Sequence, residues 1–464
     1  MDRPIRRLFW FFALLFVAVI VQLTYVQVWA APSLKVDPAN TRAVEDEMRV
    51  ERGLILSADG EELAVNRKEG QYYLREYPQG SLTSPWLGYN SLRYARAGVE
   101  RVYNEELSGQ GGILGVTGLW DRLTGQPRRG ADLRLTVDLS LQRVAAEALG
   151  QRKGAVIALD PRTGAVLAMV SYPRYDPNRL EEIWKDLNSD PDSPLLNRAV
   201  QGLYPPGSVF KIITASGGLQ SGTVTPETEF VDTGTVTFDG YEVHNFDDKV
   251  YGKHDFTKAF ASSINTTFAK VGVDMGAETL AGFAASFGFG QDVPWGMGGT
   301  EGLFPDPAGM DDAELAQVSF GQGDVLCSPL LMGLAAAAVA NDGKIMEPYL
   351  VQQVLDYHGN VLQETKPKVW LEAISSTTAA TMTDLMIEVV RRGTGTAAAI
   401  DGVQVAGKTG TAEVADAESH AWFAGFAPSR DPQVVVVVLI ENGGSGGSVA
   451  APVAQQVLAA ALGL

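Results

Sequence analysis

The stretch Tyr204-Pro205-Pro206-Gly207-Ser208-Val209-Phe210-Lys211 constrains this chain more than any other. Two prolines and a glycine stop whatever precedes them, and the residues that follow can open a helix. Ser208 then stands at the helix start with Lys211 one turn on. Residues three apart share a helix face, so the lysine amine can reach the serine hydroxyl, and the unpaired N–H groups of the first turn point at whatever that serine attacks. A nucleophile and its base would thus share one turn. Ser-x-x-Lys is a weak signal by itself. It gains weight from the punctuation before it and from the apolar run after it (Val209, Phe210, Ile212, Ile213, Ala215, Leu219), which would bury this helix in a core.

Leu8 to Val28 carries no charge over 21 residues, long enough to cross a bilayer. Arg3, Arg6 and Arg7 precede it and no basic cluster follows immediately. The positive-inside bias therefore keeps residues 1–7 cytoplasmic and sends everything after Trp29 outward. A cleaved signal peptide is the competing reading. Ala30-Ala31 would permit one, but the apolar run exceeds a normal signal core and lacks a clean A-x-A ending. The expected protein is a single-pass membrane protein with an extracytoplasmic body.

A net charge of -18 argues against nucleic acid and against charge-driven docking on anionic lipid. Cys327 is the only cysteine, so no internal disulfide braces the exported part, and it reads as a small buried hydrophobe. With 464 residues, 45% of them hydrophobic, the chain suffices for two to three domains.

Residues 29–150 lack long apolar periods and carry turns at Asp59-Gly60, Pro78-Gln79-Gly80, Gly111-Gly112 and Gly125-Gln126-Pro127. They read as a β-rich accessory module, with a hairpin through Arg52-Gly53-Leu54-Ile55 and Leu63-Ala64, and a strand at Leu133 to Val137 before a helix that begins near Asp138. From residue 151 the pattern changes. Ala155 to Leu159 and Ala165 to Val170 form a predicted buried hairpin, Phe256 to Asp274 a helix with Ser263-Ile264-Asn265 near its start, and Ala313 to Val318 and Pro329 to Ala340 packed helices. Strands follow at Val403 to Thr411, Ala421 to Gly425 and Val434 to Glu441, then a closing helix from Val449 to Leu462. Strands at both ends of largely helical sequence predict an α/β fold, a sheet with helices on its faces.

Two further pieces carry chemistry: Ser263-Ile264-Asn265, the only Ser-x-Asn, and Lys408-Thr409-Gly410-Thr411 on a predicted strand. With Ser208 and Lys211 they form the ordered set Ser-x-x-Lys, Ser-x-Asn, Lys-Thr-Gly, the signature of serine enzymes that acylate on penicillin. On these motifs the sequence resembles the class B penicillin-binding proteins, the membrane-anchored peptidoglycan D,D-transpeptidases, most closely their actinobacterial branch. The likeness extends to Arg52-Gly53, Gly164 to Met169, Asp176-Pro177-Asn178, Asn197-Arg198-Ala199, Phe320-Gly321-Gln322-Gly323 and Trp422 to Gly425. On this resemblance neither a glycosyltransferase module between the apolar segment and the Ser208 region nor an appended wall-binding repeat after Leu464 is expected.

The resemblance implies a β-lactamase-like transpeptidase domain over 151–464, with a central antiparallel sheet flanked by helices. It also implies roles. Ser208 would carry the acyl group and Lys211 would take its proton, which needs an amine pKa depressed by burial and by Lys408. Ser263 would relay protons and Asn265 would bond the substrate peptide. Lys408 would supply positive potential, Thr409 and Thr411 would hold the terminal carboxylate of a D-Ala-D-Ala stem beside Gly410, and the N–H groups of Ser208 and Thr411 would receive the oxyanion. Neither cofactor nor metal is implied. His244, His254, His358 and His420 lack metal-ligand spacing, although His420 beside Trp422 is a candidate for the cleft wall, and Gly321-Gln322-Gly323 reads as backbone packing rather than a phosphate loop. The implied partners are stem peptides as donor and amine acceptor, β-lactams as inhibitors, and a membrane glycosyltransferase of the SEDS type, in elongation or division. A D,D-carboxypeptidase or β-lactamase, and a non-catalytic β-lactam sensor or scaffold, are the rival readings. A scaffold would be expected to have lost a motif, and all three are present.

Overall fold

The computed structural model describes residues 3–25, 48–91, 93–109, 129–415 and 417–464. The predicted turns at Gly111-Gly112 and Gly125-Gln126-Pro127, Ala30-Ala31 and the last three residues of the predicted span lie outside them. Helix α1 (Arg3–Thr24) is the one helix among the described residues that is long and apolar enough to cross a membrane. It takes in Arg3, Arg6 and Arg7, so the helix starts before the apolar stretch does. Its 22 residues span about 33 Å at helical rise.

The accessory part is built on a six-stranded sheet. Strands β1 (Ile55–Leu56), β2 (Glu62–Glu69) and β3 (Tyr72–Glu76) form the predicted hairpin and its extension, and β4 (Asp132–Leu135) pairs parallel to β1. Asp138 caps helix α2 (Leu139–Leu149), its carboxylate accepting from the Leu141 N–H at 3.0 Å. Sequence reading missed the other edge of this sheet, which is supplied from far along the chain by residues 351–364. A buried ion cluster braces the module. Glu100, wholly buried, takes the Arg52 guanidinium at 2.7 Å on one oxygen and that of Arg75 at 2.6 Å on the other. Arg52 also donates to Asn104 and to the Glu100 carbonyl. Burial pushes the Glu100 carboxyl up, but the two guanidiniums outweigh it and hold the group below its ordinary value.

The second layer system has a five-stranded, fully antiparallel sheet at its centre. Strands β5 (Gly154–Leu159) and β6 (Val166–Tyr172) make the predicted buried hairpin. Then come helix α3 (Lys211–Ser221), the short strands β7 (Glu229–Asp232), β8 (Thr235–Phe238), β9 (Tyr241–His244) and β10 (Gly252–Asp255), and helices α4 (Phe256–Ser262), α5 (Asn265–Met275), α6 (Asp312–Ser319) and α7 (Pro329–Ala340). Strands β11 (Val351–Leu355) and β12 (Val361–Glu364) leave this part to join β4 in the accessory sheet. Helix α8 (Ser376–Arg392), strands β13 (Ala406–Ala412), β14 (His420–Ala427) and β15 (Val434–Ile440), and helix α9 (Gly446–Ala461) complete the fold. The central order is β13-β14-β15-β5-β6, so first and last portions meet in mid-sheet and β13 is an edge. Every residue of β14 and β15 is buried, because helices cover both faces.

The two parts dock through backbone-specific bonds. Asn178 exchanges two hydrogen bonds with the Tyr77 backbone at 2.9 Å each, and the Trp86 indole donates to the Met169 carbonyl at 2.9 Å.

Candidate active site

Ser208 lies on a 3-10 turn (Gly207–Phe210) that runs directly into α3, one step before the α-helix that sequence reading placed it on. Gly207 has φ +53, and a side chain there would stand 2.7 Å from the Thr411 carbonyl oxygen. Glycine is thus required twice over, by the left-handed backbone and by the approach of β13. The turn is held from three sides. Gly207 N–H donates to Gly321 O at 2.8 Å, the Trp422 indole donates to Pro205 O at 3.1 Å, and Tyr204 and Cys327 exchange backbone bonds at 2.9 and 3.0 Å. The packing role read for Gly321 holds, since a Cβ on it would fall 2.0 Å from Gly207 O.

The Ser263-Ile264-Asn265 motif departs from expectation. One continuous helix was predicted, but the chain breaks between α4 and α5, with Ser263 at φ 60 and ψ 42. A left-handed non-glycine residue costs about 1–2 kcal/mol, and here it turns the Ser263 carbonyl toward Lys211. Ile264, fully buried, pins the break from below.

Lys211 and Lys408 are both fully buried and both reach this break. The Lys211 amine donates to Ser263 O at 2.8 Å and Asn265 Oδ1 at 2.7 Å, and lies 3.2 Å from Ser263 Oγ. Lys408 comes from the edge strand and donates to Ser263 Oγ at 2.9 Å and to Thr409 O at 2.9 Å. Burial, and after it the Lys408 charge, hold the Lys211 amine well below its ordinary value. Burial alone brings Lys408 down to about 7. The described residues show no hydrogen bond between Lys211 and Ser208; the amine is engaged by the second motif instead.

Ser208, Ser263, Asn265, Thr409 and Thr411 line one cleft of about 580 Å³, the size of a site for a small ligand. Gly410 lies between the two threonines, where a side chain would press within 3.0 Å of Trp422 and Val209. Sequence reading missed several wall residues: Tyr241, His244, Gln317, Thr394 and Glu413. Thr394 and Thr409 join hydroxyls at 2.5 Å. Only a position on the loop after α8 marks Thr394, and no local pattern could have found it. His420, the candidate from sequence, is not in this cleft wall; it is buried against Tyr204 and accepts the Asn442 N–H at 3.0 Å. Among the described residues no group of three or more His, Cys, Asp or Glu side chains could hold a metal ion.

Known proteins are similar to this chain in sequence and in fold. Residues 154–459 match the penicillin binding protein transpeptidase domain family, and residues 52–133 match the penicillin binding protein A dimerisation domain family. The peptidoglycan D,D-transpeptidase PbpA of Mycolicibacterium smegmatis is 38% identical, covering 100% of this chain and 99% of its own, and PbpA of Mycobacterium tuberculosis is 35% identical with the same coverage. A solved ceftriaxone acyl-enzyme complex of penicillin-binding protein A from M. tuberculosis superposes with a TM-score of 0.85 at 34% identity, covering 90% of this chain and 99% of that one. Similarity that runs the whole length, with one family model taking in every residue of the cleft wall, makes this chain a member of the class B penicillin-binding proteins, of the PbpA type.

Proposed function

We propose that the chain cross-links peptidoglycan as a serine D,D-transpeptidase, with Ser208 as nucleophile. The observation that carries this reading is the geometry at Lys211, a fully buried amine whose Nζ meets Ser263 O, Ser263 Oγ and Asn265 Oδ1 within 3.2 Å. A neutral amine has two N–H bonds and one lone pair. On losing its proton, Lys211 can give its two N–H bonds to the carbonyl oxygens at 2.7 and 2.8 Å and turn the lone pair to a hydroxyl proton.

In the reaction, Ser208 Oγ bonds to the penultimate D-Ala carbonyl carbon as its proton passes to Lys211. The tetrahedral oxyanion sits at the N–H groups of Ser208 and Thr411. Collapse breaks the C–N bond, the departing D-Ala amine takes a proton through Ser263, and an acyl-enzyme remains. An acceptor amine then attacks, gives its proton back through the same pair and frees Ser208. The edge position of β13 suits this substrate, since an extended stem can lie along the strand. Thr409 and Thr411, two apart and on one face, would hold its carboxylate beside the Lys408 charge. β-Lactams would be trapped as the same acyl species.

We further propose residues 1–7 as a cytoplasmic tail, 8–28 as the span, 29–150 as the accessory module and 151–464 as the extracytoplasmic catalytic domain. Helix α1 and the two family matches support this division. A SEDS-type glycosyltransferase in the same membrane is the proposed partner, as membership of the membrane-anchored class B penicillin-binding proteins implies. Fluorescent penicillin followed by mapping of the labelled peptide tests the assignment. Label is expected on the Ser208 peptide and none on Ser208→Ala; label on another serine in that variant removes Ser208 from the role.

A further inference from the structure

Asp232 is buried, far in sequence from all three motifs, and bonded into the second of them. It ends β7 and is 3% exposed. Its Oδ1 accepts from Gly234 N–H at 3.0 Å, Asn245 Nδ2 at 3.0 Å and the Thr266 hydroxyl at 2.7 Å; its Oδ2 accepts from Asn245 Nδ2 at 3.0 Å and Tyr251 N–H at 2.7 Å. Asn245 completes the grip, its Oδ1 accepting the Thr266 N–H at 3.1 Å. Thr266 is therefore held by backbone and side chain alike, and it follows Asn265 directly.

The same region touches the motif at three more points. Asn265 Nδ2 donates to His244 O at 3.1 Å, one residue before Asn245. The Tyr251 hydroxyl reaches Ser262 O at 3.5 Å, and His254 on β10, the partner strand of β7, meets the Thr267 hydroxyl at 2.9 Å. Ser263 caps α4, its N–H donating to the Phe260 carbonyl at 3.2 Å, so helix bonds hold the end of α4 but leave open the first turn of α5, where Asn265 stands. Something outside the two helices must fix the direction of the Asn265 side chain.

We propose that Asp232 is a positioning residue for acylation: through Asn245 and Thr266 it fixes the start of α5, so that Asn265 and Ser263 present their two carbonyl oxygens to Lys211. This rests on the assignment of Ser208 and Lys211 as nucleophile and base. Four donor groups converge on the carboxylate, so an isosteric amide would have to turn its own N–H2 toward a donor. Burial raises the Asp232 carboxyl, but the Tyr251 amide, the Thr266 hydroxyl, the Gly234 amide and Asn245 outweigh it and leave it below its ordinary value.

The test is Asp232→Asn in the full-length protein, with penicillin acylation resolved into the binding constant and the first-order acylation rate, per titrated active site. A displaced amide at Asn265 should lower the acylation rate roughly 10-fold to 100-fold with penicillin affinity within about twofold, since small misplacements of a catalytic pair carry costs of that order. A purely structural role would lower the melting temperature and the titrated fraction while leaving the rate per active site unchanged, and that outcome overturns the proposal. If Asp232→Asn does not fold, Thr266→Val removes the 2.7 Å bond alone and should slow the same step several-fold; an unchanged rate there also overturns it. The exchange variant Asp232→Asn with Asn245→Asp, which restores one carboxylate and one amide, should recover part of the rate. Mass mapping of the wild-type adduct keeps the two readings separate. Label away from Ser208 defeats the underlying assignment and the proposal with it, whereas label on Ser208 with a normal Asp232→Asn rate defeats only the proposal.

Discussion

Lys408 Nζ donates to Ser263 Oγ at 2.9 Å, and Lys211 Nζ lies 3.2 Å from the same oxygen. One hydroxyl thus stands between two buried amines, and among the described residues no carboxylate is bonded to either. Two cations so placed repel each other, and each lowers the cost of losing a proton from its neighbour. The Lys408 charge is one of the two causes that depress Lys211.

Lys408→Met should therefore move the acid limb of the acylation profile to higher pH. The sign follows from repulsion: with the Lys408 charge present, Lys211 gives up its proton at lower pH, and without it the Lys211 pKa rises toward its ordinary value. The wild-type rate should also decline as pH climbs past about 7, where Lys408 itself neutralises and substrate carboxylate loses its counter-charge. Penicillin acylation rates measured from pH 5 to 10 on both proteins check this. An unmoved acid limb would dissociate the two lysines.

Lys211→Ala removes the base while leaving a small buried residue in a helix-forming position, and acylation should fall on the order of 10²-fold or more. Stopped-flow acylation with a chromogenic cephalosporin gives the rate, and circular dichroism shows whether α3 survives. Because burial and the Lys408 charge hold the Lys211 pKa well below its ordinary value, removing the amine should cost less melting temperature than removing a buried ion with an unshifted pKa.

Glu100→Gln should cost stability without touching the cleft. It leaves the Arg52 and Arg75 guanidiniums buried and without their carboxylate, a change of about 3–5 kcal/mol for a broken buried pair. The pH dependence carries a definite sign. The folded carboxyl lies below its ordinary value, so its contribution is complete above the unfolded pKa near 4 and is lost as pH falls through the folded one. Urea melts at pH 7 and pH 3 should show a gap between wild type and variant that narrows at the lower pH.

Much of this was legible because it is local. The Ser208 turn, the β5–β6 hairpin, the cap at Asp138 and the β13 strand are specified by punctuation and periodicity within a few residues. The three motifs name the cleft for a related reason: chemistry restricts residue type more tightly than packing does. What stayed hidden is non-local. Nothing in Val351–Leu355 announces that it pairs with β4 rather than with the central sheet, since an alternating apolar strand suits either. The break at Ser263 was equally invisible, because Phe256 to Asp274 has unbroken helical periodicity and Ser263 enters the left-handed region for the sake of tertiary contacts. Asp232 lies in a threonine- and glycine-rich segment that sequence alone reads as loop.

Removal of residues 1–29 should yield a soluble protein that still binds penicillin, because α1 and the cleft have no residue in common. Acylation rates of the truncated and full-length forms should agree within about twofold, as expected for independent, non-contacting parts. Protease added to spheroplasts should degrade the catalytic domain and spare the first seven residues. Failure of a folded truncation to acylate would tie the span to the chemistry.

The acyl-enzyme should pass to an amine rather than to water. A class A β-lactamase deacylates through a glutamate that activates a water, placed in a loop after its Ser-x-Asn motif. No Glu-x-x-x-Asn occurs here between Asn265 and Lys408. From that stretch the cleft wall receives Gln317, Phe320, Gln322, Gly323, Thr394 and Thr396, none of them a carboxylate. Glu242 and Glu413 do reach the wall, but both are exposed and so keep their hydration. Among the described residues a water near the ester therefore meets no desolvated base other than the Ser263 and Lys211 pair, whereas an acceptor amine brings its own stronger nucleophile to that same pair. Penicillin should remain bound for long periods after free drug is removed. A donor thioester offered with a D-amino acid should give mainly the aminolysis product, with the share of hydrolysis falling as amine concentration rises. Chromatographic measurement of the two products decides the matter: hydrolysis that dominates even at saturating amine, or rapid turnover of penicillin, would make this cleft a carboxypeptidase or β-lactamase site instead.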